Sequence, residues 1–121
     1  MYGPELILDV HRCNPAKFNR KDIEEYFTIL CDLIDMTRCD LVFWDDTGLP
    51  LDQRQTKPHT KGISAVQFIL TSSIVIHTLD ILCKVFVNVF SCKDFDAQKV
   101  RKFTEEYFEG KVVNTNFIRR I

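Results

Sequence analysis

Residues 62–92 read GISAVQFILTSSIVIHTLDILCKVFVNVFSC, and this stretch decides the fold. β-Branched and aromatic residues dominate three segments within it, 63–70, 74–79 and 84–92, and the second break between them is 80–83. Such segments favour strands, and breaks this short favour antiparallel neighbours. We therefore predict a meander of three consecutive strands at the centre of a sheet.

The sequence on either side of the meander supplies three further strands. Residues 5–12 and 111–118 alternate apolar and polar side chains with period two, and 39–44 is a short, mostly apolar run. The first two patterns are typical of strands with one buried face, and the third fits a short strand. No internal repeat interrupts this arrangement.

Two helices complete the prediction. From the N-cap candidate Asn19, apolar positions recur at helical spacing, which predicts a helix over 20–37. A second helix starts after Asp94 or Asp96 and ends at Gly110. The order β-α-β-β-β-β-α-β, with one apolar stripe on each helix, predicts an α/β (α+β) fold. We expect a two-layer sandwich in which both helices cover one face of a mainly antiparallel sheet.

Composition excludes several classes of function. The 121 residues form one domain (1–121) and leave no room for a separate cofactor-binding module. Sixteen basic and 17 acidic side chains give a net charge of −1, so we expect neither nucleic acid nor a membrane surface as partner. No apolar run reaches the roughly 18–20 residues of a membrane span, and no secretory signal opens the chain, so a cytoplasmic protein is expected.

The five cysteines form no C-x-x-C pair and have no zinc-ligand spacing. We therefore expect free thiols and no metal site. Residues 45–61 are polar and lack periodicity, which makes them one long loop. A loop of this length in a small domain is usually functional, so it is a candidate lid or substrate loop.

The turn at 80–83 fixes a register between the second and third strands of the meander, whether it is tight or loose. The opposing pairs are His77 with Phe86, Ser73 with Phe90 and Cys92 with Thr71. This register predicts that Ser73, His77 and Cys92 line one face, so that a hydroxyl, an imidazole and a thiol converge near the Thr71–Ser72 peptide bond. The alternative is structural: a polar strand start, a hydrogen-bonded core histidine and a packed thiol.

The segment from Gly62 through Ser72 and His77 to Cys92 resembles the core of the small prokaryotic S-adenosylmethionine decarboxylase proenzymes. Residues 3–13 resemble the first strand of that family. The resemblance extends over nearly the whole chain, with loop 45–61 as its poorest part.

The resemblance implies that the precursor cleaves itself into 1–71 and 72–121. The Ser72 hydroxyl would attack the Thr71 carbonyl, and the resulting ester would eliminate to leave a pyruvoyl group in place of Ser72. By the same matching, Ser64 would assist the acyl shift and His77 would take a proton during elimination. Cys92 would later donate a proton to the substrate.

A pyruvoyl ketone forms a Schiff base with a substrate amine and acts as an electron sink, so the chain needs no other cofactor and no metal. Cys92 must be protonated in order to donate. We expect an apolar neighbourhood that includes Phe86 and Phe90 to favour the neutral thiol.

One geometric point leaves two nucleophiles open. Ser72 and His77 are an odd number of residues apart and would face opposite sides of a straight strand, whereas Ser73 and His77 would share a side. Either the chain bends or bulges at 71–73, or Ser73 is the nucleophile. Family spacing favours Ser72, and a strained turn at a self-cleaving bond is physically reasonable.

Several positions depart from the family's pattern. The family usually has Glu and His on either side of the cleaved serine, where this chain has Thr71 and Ser73. Its nucleoside-binding aromatic and glutamate are replaced by Leu79 and Ile81, and the adenine-stacking ring would fall near Pro58. The substrate is therefore either S-adenosylmethionine, in polyamine (spermidine) biosynthesis, or a basic amino acid such as ornithine or arginine.

A basic amino acid would need a carboxylate for its distal cation. Asp80, Asp45 or Asp46 could supply one, although each also fits a simple turn or a solvated loop charge. The resemblance further implies a homodimer. A rival hypothesis is an unprocessed, non-catalytic relative that acts as a partner subunit.

Overall fold

A computed structural model describes residues 2–121, and Met1 lies outside the described part. The helices and strands follow the predicted order, with short 3-10 turns at Pro15–Lys17 and Leu51–Gln53. They are β1 (Pro4–His11), α1 (Arg20–Leu33), β2 (Arg38–Trp44), β3 (Gly62–Ile69), β4 (Ser72–Leu79), β5 (Lys84–Phe90), α2 (Ala97–Phe108) and β6 (Lys111–Arg119).

The strands form one sheet in the order β2-β3-β4-β5-β1-β6, and all neighbouring strands are antiparallel. The meander β3-β4-β5 lies at the centre, as predicted, and β1 pairs with both β5 and β6. The predicted register between β4 and β5 is confirmed, since His77 lies opposite Phe86 and Ser73 opposite Phe90. The sheet therefore fixes where each side chain of β4 lies.

Both helices cover the same face of the sheet and bury the core against it. Asn19 caps α1 by accepting a hydrogen bond from the Asp22 amide, and Asp96, of the two predicted caps, caps α2. The Tyr26 hydroxyl is 2.8 Å from the Thr104 hydroxyl between the helices. The apolar strand residues that are fully buried on this face are Leu6, Leu8, Val10, Ile74, Ile76, Val85 and Val89. Burial of each of these side chains stabilises the folded state by about 1.5–3 kcal/mol, so the packing on this face of the sheet stabilises the fold.

No helix covers the other face within residues 2–121, and we call it the open face. It carries apolar side chains that are half-buried or exposed: Ile7, Val42, Val66, Phe68, Val75, Phe86 and Phe90. Trp44, Ser64, Ser73 and His77 share this face by register. A large uncovered apolar sheet face marks an interaction surface more often than a solvated one.

Three predicted boundaries were wrong for local reasons. The first helix ends at Leu33 rather than at 37, because Asp35 has a φ of +55° and turns the chain. The third meander strand ends at Phe90, since the Ser91 hydroxyl bonds to the Lys93 carbonyl. The strand predicted from 74 begins at Ser72, directly after a two-residue turn.

Candidate active site

The turn between β3 and β4 consists of Leu70 and Thr71, because Ile69 pairs directly with Ser72. Thr71 has a φ of +52°, in the left-handed region. For an L-residue this conformation costs about 1–2 kcal/mol, and a β-branched residue there is a clear outlier. The turn therefore concentrates backbone strain at the Thr71–Ser72 peptide bond.

The Ser72 hydroxyl is held in a defined position. Ser72 is almost fully buried, and its Oγ accepts a hydrogen bond of 2.8 Å from the Cys92 backbone amide. Cys92 lies two residues past the end of β5, where the chain runs beside the start of β4. The predicted proximity of Cys92 to the Thr71–Ser72 bond is thus found, although through the backbone beyond the strand and not through the strand ladder.

The electrostatics of Cys92 differ from the prediction. Hydrogen bonds from the Ser72 and Thr71 hydroxyls hold the pKa of the Cys92 thiol below its ordinary value. The expectation that Phe86 and Phe90 would favour the neutral thiol was wrong, because the hydrogen bonds from these hydroxyls stabilise the thiolate more than burial disfavours it. Cys92 is therefore a more acidic thiol than usual.

Ser64 and His77 form a second polar group on the open face. They lie directly opposite each other in the β3–β4 ladder, and Ser64 Oγ is 2.7 Å from His77 Nδ1. A single hydrogen bond at Nδ1 orients the imidazole ring and leaves Nε2 available for proton transfer. Sequence matching named both residues, but their direct contact follows only from the observed register.

Within one chain, the Ser72–Cys92 group lies apart from the Ser64–His77 group. The prediction that a hydroxyl, an imidazole and a thiol converge near the Thr71–Ser72 bond of a single chain was therefore wrong. Ser72 and His77 are five positions apart on β4, about 16 Å at the usual rise per residue, and Ser73 is about 13 Å from His77. The β3–β4 ladder is regular from Ser72 to Leu79, so no bulge brings them together. The side chain of Ser72 lies on the helix-covered face, whereas His77 lies on the open face.

A pocket of about 880 Å³ adjoins the Ser64–His77 pair. Its wall includes a row of residues from four neighbouring strands, Trp44, Ser64, His77 and Phe86, together with residues of loop 45–61 such as His59. Trp44 is 84% exposed, unusually high for a tryptophan. Sequence reasoning missed Trp44, although its position at the end of a strand that leads into the loop was a usable signal.

The three candidate carboxylates have different surroundings. Asp45 binds Arg20 through two hydrogen bonds of 2.8 and 2.7 Å, which lower its pKa to about 2. Asp46 lies 3.6 Å from the Lys61 ammonium. Asp80 has a buried Oδ1 without a hydrogen-bond partner, and burial raises its pKa. Asp45 and Asp46 are thus neutralised by cations of this chain, and Asp80 retains an unused acceptor.

Asp80 lines a smaller cavity of about 170 Å³ that also touches Asp45, Asp46 and Lys61. Across residues 2–121, no three metal-ligating side chains cluster together. In the same part of the chain, neither helix has the length and hydropathy needed to cross a bilayer.

Comparisons with known proteins agree on one relationship. A family model described as S-adenosylmethionine decarboxylase matches residues 4–121. Among solved structures, the chain is similar to the adenosylmethionine decarboxylase of Aquifex aeolicus VF5, with a TM-score of 0.73 and 16% identity, covering 97% of this chain and 88% of that one. At this identity the structural likeness shows the fold. No curated protein sequence matches the chain.

Proposed function

Because the chain belongs to the S-adenosylmethionine decarboxylase family, we propose that it is a self-processing decarboxylase that cleaves its own backbone between Thr71 and Ser72. The observation that carries the proposal is the turn at this bond. It combines a left-handed threonine with a serine whose Oγ is held by a backbone amide 2.8 Å away. The two products are residues 1–71 and residues 72–121.

Cleavage begins with an acyl shift. The Ser72 Oγ forms a bond to the Thr71 carbonyl carbon while the bond from that carbon to the Ser72 nitrogen breaks, and the hydroxyl proton ends on the nitrogen. An ester with a free amine replaces the amide. The strain at Thr71 favours this step, because the left-handed conformation is relieved when the amide is lost.

Elimination then breaks the bond between the side-chain oxygen and Cβ of residue 72, which releases the Thr71 carboxylate and leaves a dehydroalanine. Water hydrolyses the imine form of this residue to a pyruvoyl group and releases ammonia. The elimination needs a base for the α-proton of residue 72, and the Ser64–His77 pair provides one. When Nδ1–H donates to Ser64 Oγ, the Nε2 lone pair of His77 is free to accept the proton.

A pyruvoyl group supplies a carbonyl that withdraws electrons from the substrate during decarboxylation. Cys92 is the proton donor to the carbon that loses carbon dioxide. Its low pKa in the precursor is compatible with this role, since the Ser72 hydroxyl is the first cause of the shift and is consumed during cleavage. We expect the thiol pKa to move back upward in the processed enzyme, so that Cys92 becomes protonated when it is needed.

The separation of Ser72 from His77 is our reason for proposing a homodimer. Since roughly 16 Å separates them within one β4, His77 must come from a partner subunit to reach the Thr71–Ser72 bond. The open face supports a homodimer because it carries uncovered apolar side chains such as Phe68 and Val42. Two such sheets can pack face to face about 10 Å apart.

Symmetry supports the same arrangement. Val75 lies midway between Ser73 and His77 on β4. A two-fold axis across the strands at the level of Val75 sets the His77 end of one sheet over the Ser73 end of the other. Each dimer then contains two equivalent sites, each built from the strained turn of one subunit and the histidine and pocket of its partner.

Family membership favours S-adenosylmethionine as the substrate. Leu79 lines the pocket where the family's aromatic is missing, but the exposed Trp44 ring on the same pocket offers an alternative surface for adenine stacking. A basic amino acid such as ornithine or arginine is the second candidate, because the unpartnered Asp80 Oδ1 can accept from a distal cation.

A time course of intact mass on the purified chain tests the proposal. The wild type is expected to convert from 14.2 kDa to two chains, and the 72–121 chain should be one ammonia lighter than its hydrolytic fragment. Ser72→Ala should stay intact, whereas Ser73→Ala should cleave. A wild-type chain that stays intact would instead favour a non-catalytic partner subunit. Release of carbon dioxide from S-adenosylmethionine, ornithine and arginine then identifies the substrate.

A further inference from the structure

Tyr2 is anchored at three points beside the bond that is proposed to break. Its backbone amide donates to the Arg120 carbonyl at 2.9 Å, and its ring stacks on Phe90 with centroids 5.8 Å apart. Its hydroxyl donates a hydrogen bond of 3.0 Å to the carbonyl oxygen of Thr71. The contact joins positions 69 residues apart in sequence, so it is a feature of the tertiary fold.

The acceptor of this hydrogen bond is the carbonyl of the proposed scissile amide. Phe90 lies on the open face opposite Ser73, so the Tyr2 ring approaches Thr71 from that face. Ser72 Oγ is held from the other side by the Cys92 amide. Tyr2 therefore contacts the carbonyl oxygen of this peptide bond, and the Cys92 amide contacts the hydroxyl that is proposed to attack it.

We propose that Tyr2 is a catalytic residue of self-cleavage, one that polarises the Thr71 carbonyl and stabilises the negative charge on its oxygen during the acyl shift. This inference rests on the proposed function. A hydroxyl that already contacts the oxygen needs no reorganisation as charge develops there, which is the basis of oxyanion stabilisation.

In this step Tyr2 stabilises charge and transfers no proton. As Ser72 Oγ bonds to the Thr71 carbon, the carbonyl π pair moves onto the oxygen and strengthens its hydrogen bond from Tyr2. The pair returns when the bond from carbon to the Ser72 nitrogen breaks. Tyr2 keeps its proton throughout, and no other reactant is consumed.

Tyr2→Phe tests the proposal, because the ring can still stack on Phe90 while the donor is lost. Its self-cleavage, followed by intact mass, should be about 100-fold slower than that of the wild type, the scale seen on loss of one oxyanion donor. Equal cleavage rates for Tyr2→Phe and wild type would overturn the assignment while leaving the proposed function intact.

Tyr107→Phe is a matched control. The Tyr107 hydroxyl also donates to a backbone carbonyl, that of Asp22, at 2.8 Å, but far from the turn. This variant should cleave at the wild-type rate, and equal slowing in both variants would overturn the assignment. If the wild type itself never cleaves, the proposed function fails and the inference fails with it.

The contact can also be measured without cleavage. In a Ser72→Ala chain, the carbon-13 shift of the Thr71 carbonyl is read through the amide of residue 72. Loss of the Tyr2 donor should move this shift upfield. An unchanged shift in Tyr2→Phe would show that the hydrogen bond is absent and would overturn the inference.

Discussion

The two ends of β4 differ in almost every respect that matters for chemistry. At its start, Ser72 is buried and bonded to a backbone amide, next to a strained threonine. Near its end, His77 is exposed, oriented by Ser64 and open to a pocket of about 880 Å³. In the proposed function, one end holds the bond that is cleaved, and the other holds the base and the substrate pocket.

This difference teaches that neither end is a complete active site. A nucleophile without a nearby base cannot carry elimination, and a base beside an empty pocket has no bond to act on. The regular ladder of β4 prevents the ends from approaching each other in one chain. Variants that alter one end of β4 at a time therefore test what each end contributes.

The largest effect is expected at the pocket end. His77→Ala should slow self-cleavage by about 10²–10⁴-fold, the usual contribution of a positioned acid or base, even though His77 is remote from the bond in its own chain. Intact mass over time gives the rate. His11→Ala, on β1 and outside the pocket, is the control and should cleave normally. Normal cleavage of His77→Ala would remove the pocket end from processing.

Cys92→Ala should separate processing from decarboxylation at the other end. The backbone amide that holds Ser72 remains in this variant, so the chain should cleave. Release of carbon dioxide per processed chain should fall by about 10²–10⁴-fold because the proton donor is lost. Unchanged turnover would exclude Cys92 from the mechanism.

The pH dependence of Cys92 alkylation provides a related test with a defined sign. The pKa of the Cys92 thiol is lowered, so the reactive thiolate should persist to lower pH than in an ordinary thiol. Ser72→Ala removes the first cause of the shift and should move the alkylation midpoint to higher pH. A midpoint that does not move would contradict the role assigned to the Ser72 hydroxyl.

Trp44→Ala tests whether the pocket receives a nucleoside. Loss of a stacking ring costs about 1–3 kcal/mol, so we expect KM for S-adenosylmethionine to rise by roughly 10-fold with little change in kcat. Trp44→Phe should restore most of the affinity. If KM for S-adenosylmethionine is unchanged in Trp44→Ala, the adenine does not stack on this ring.

The smallest effect concerns strain at the turn. In a Ser72→Ala background, Thr71→Gly should stabilise the fold by about 1 kcal/mol by removing the left-handed penalty, as measured by urea unfolding. With Ser72 present, the same change should slow cleavage several-fold. Cys83→Gly is the control, since Cys83 also has a φ of +52° but lies in the turn at the opposite end of β4. Faster cleavage of Thr71→Gly would contradict the role of strain.

The sequence predicts the sheet well because its strands follow one another through short turns. The position of the turn at 80–83 predicted the correct β4–β5 register, and with it the positions of Ser73 and His77. It could not predict the left-handed conformation of Thr71, since threonine disfavours it and no local pattern announces it. A second meander strand that starts at 74 does not lead to the pairing of Ser64 with His77. That pairing depends on the observed start of β4 at Ser72.

The remaining site features depend on contacts distant in sequence. Tyr2 reaches Thr71 only because β1 pairs beside β5, and Asp45 is neutralised only because α1 brings Arg20 against it. Parity along a strand did indicate that Ser72 and His77 face opposite sides. The structure shows the same opposite orientation of Ser72 and His77, and the proposal of a site shared by two subunits follows from it.

Complementation between two inactive chains tests the central claim most directly. Ser72→Ala retains His77 and the pocket, whereas His77→Ala retains Ser72 and Cys92, and neither should cleave alone. When the two are co-refolded, the account predicts that the His77→Ala chain is cleaved between Thr71 and Ser72 while the Ser72→Ala chain stays intact. Failure of both chains to cleave in a verified mixed dimer would contradict a site shared between subunits.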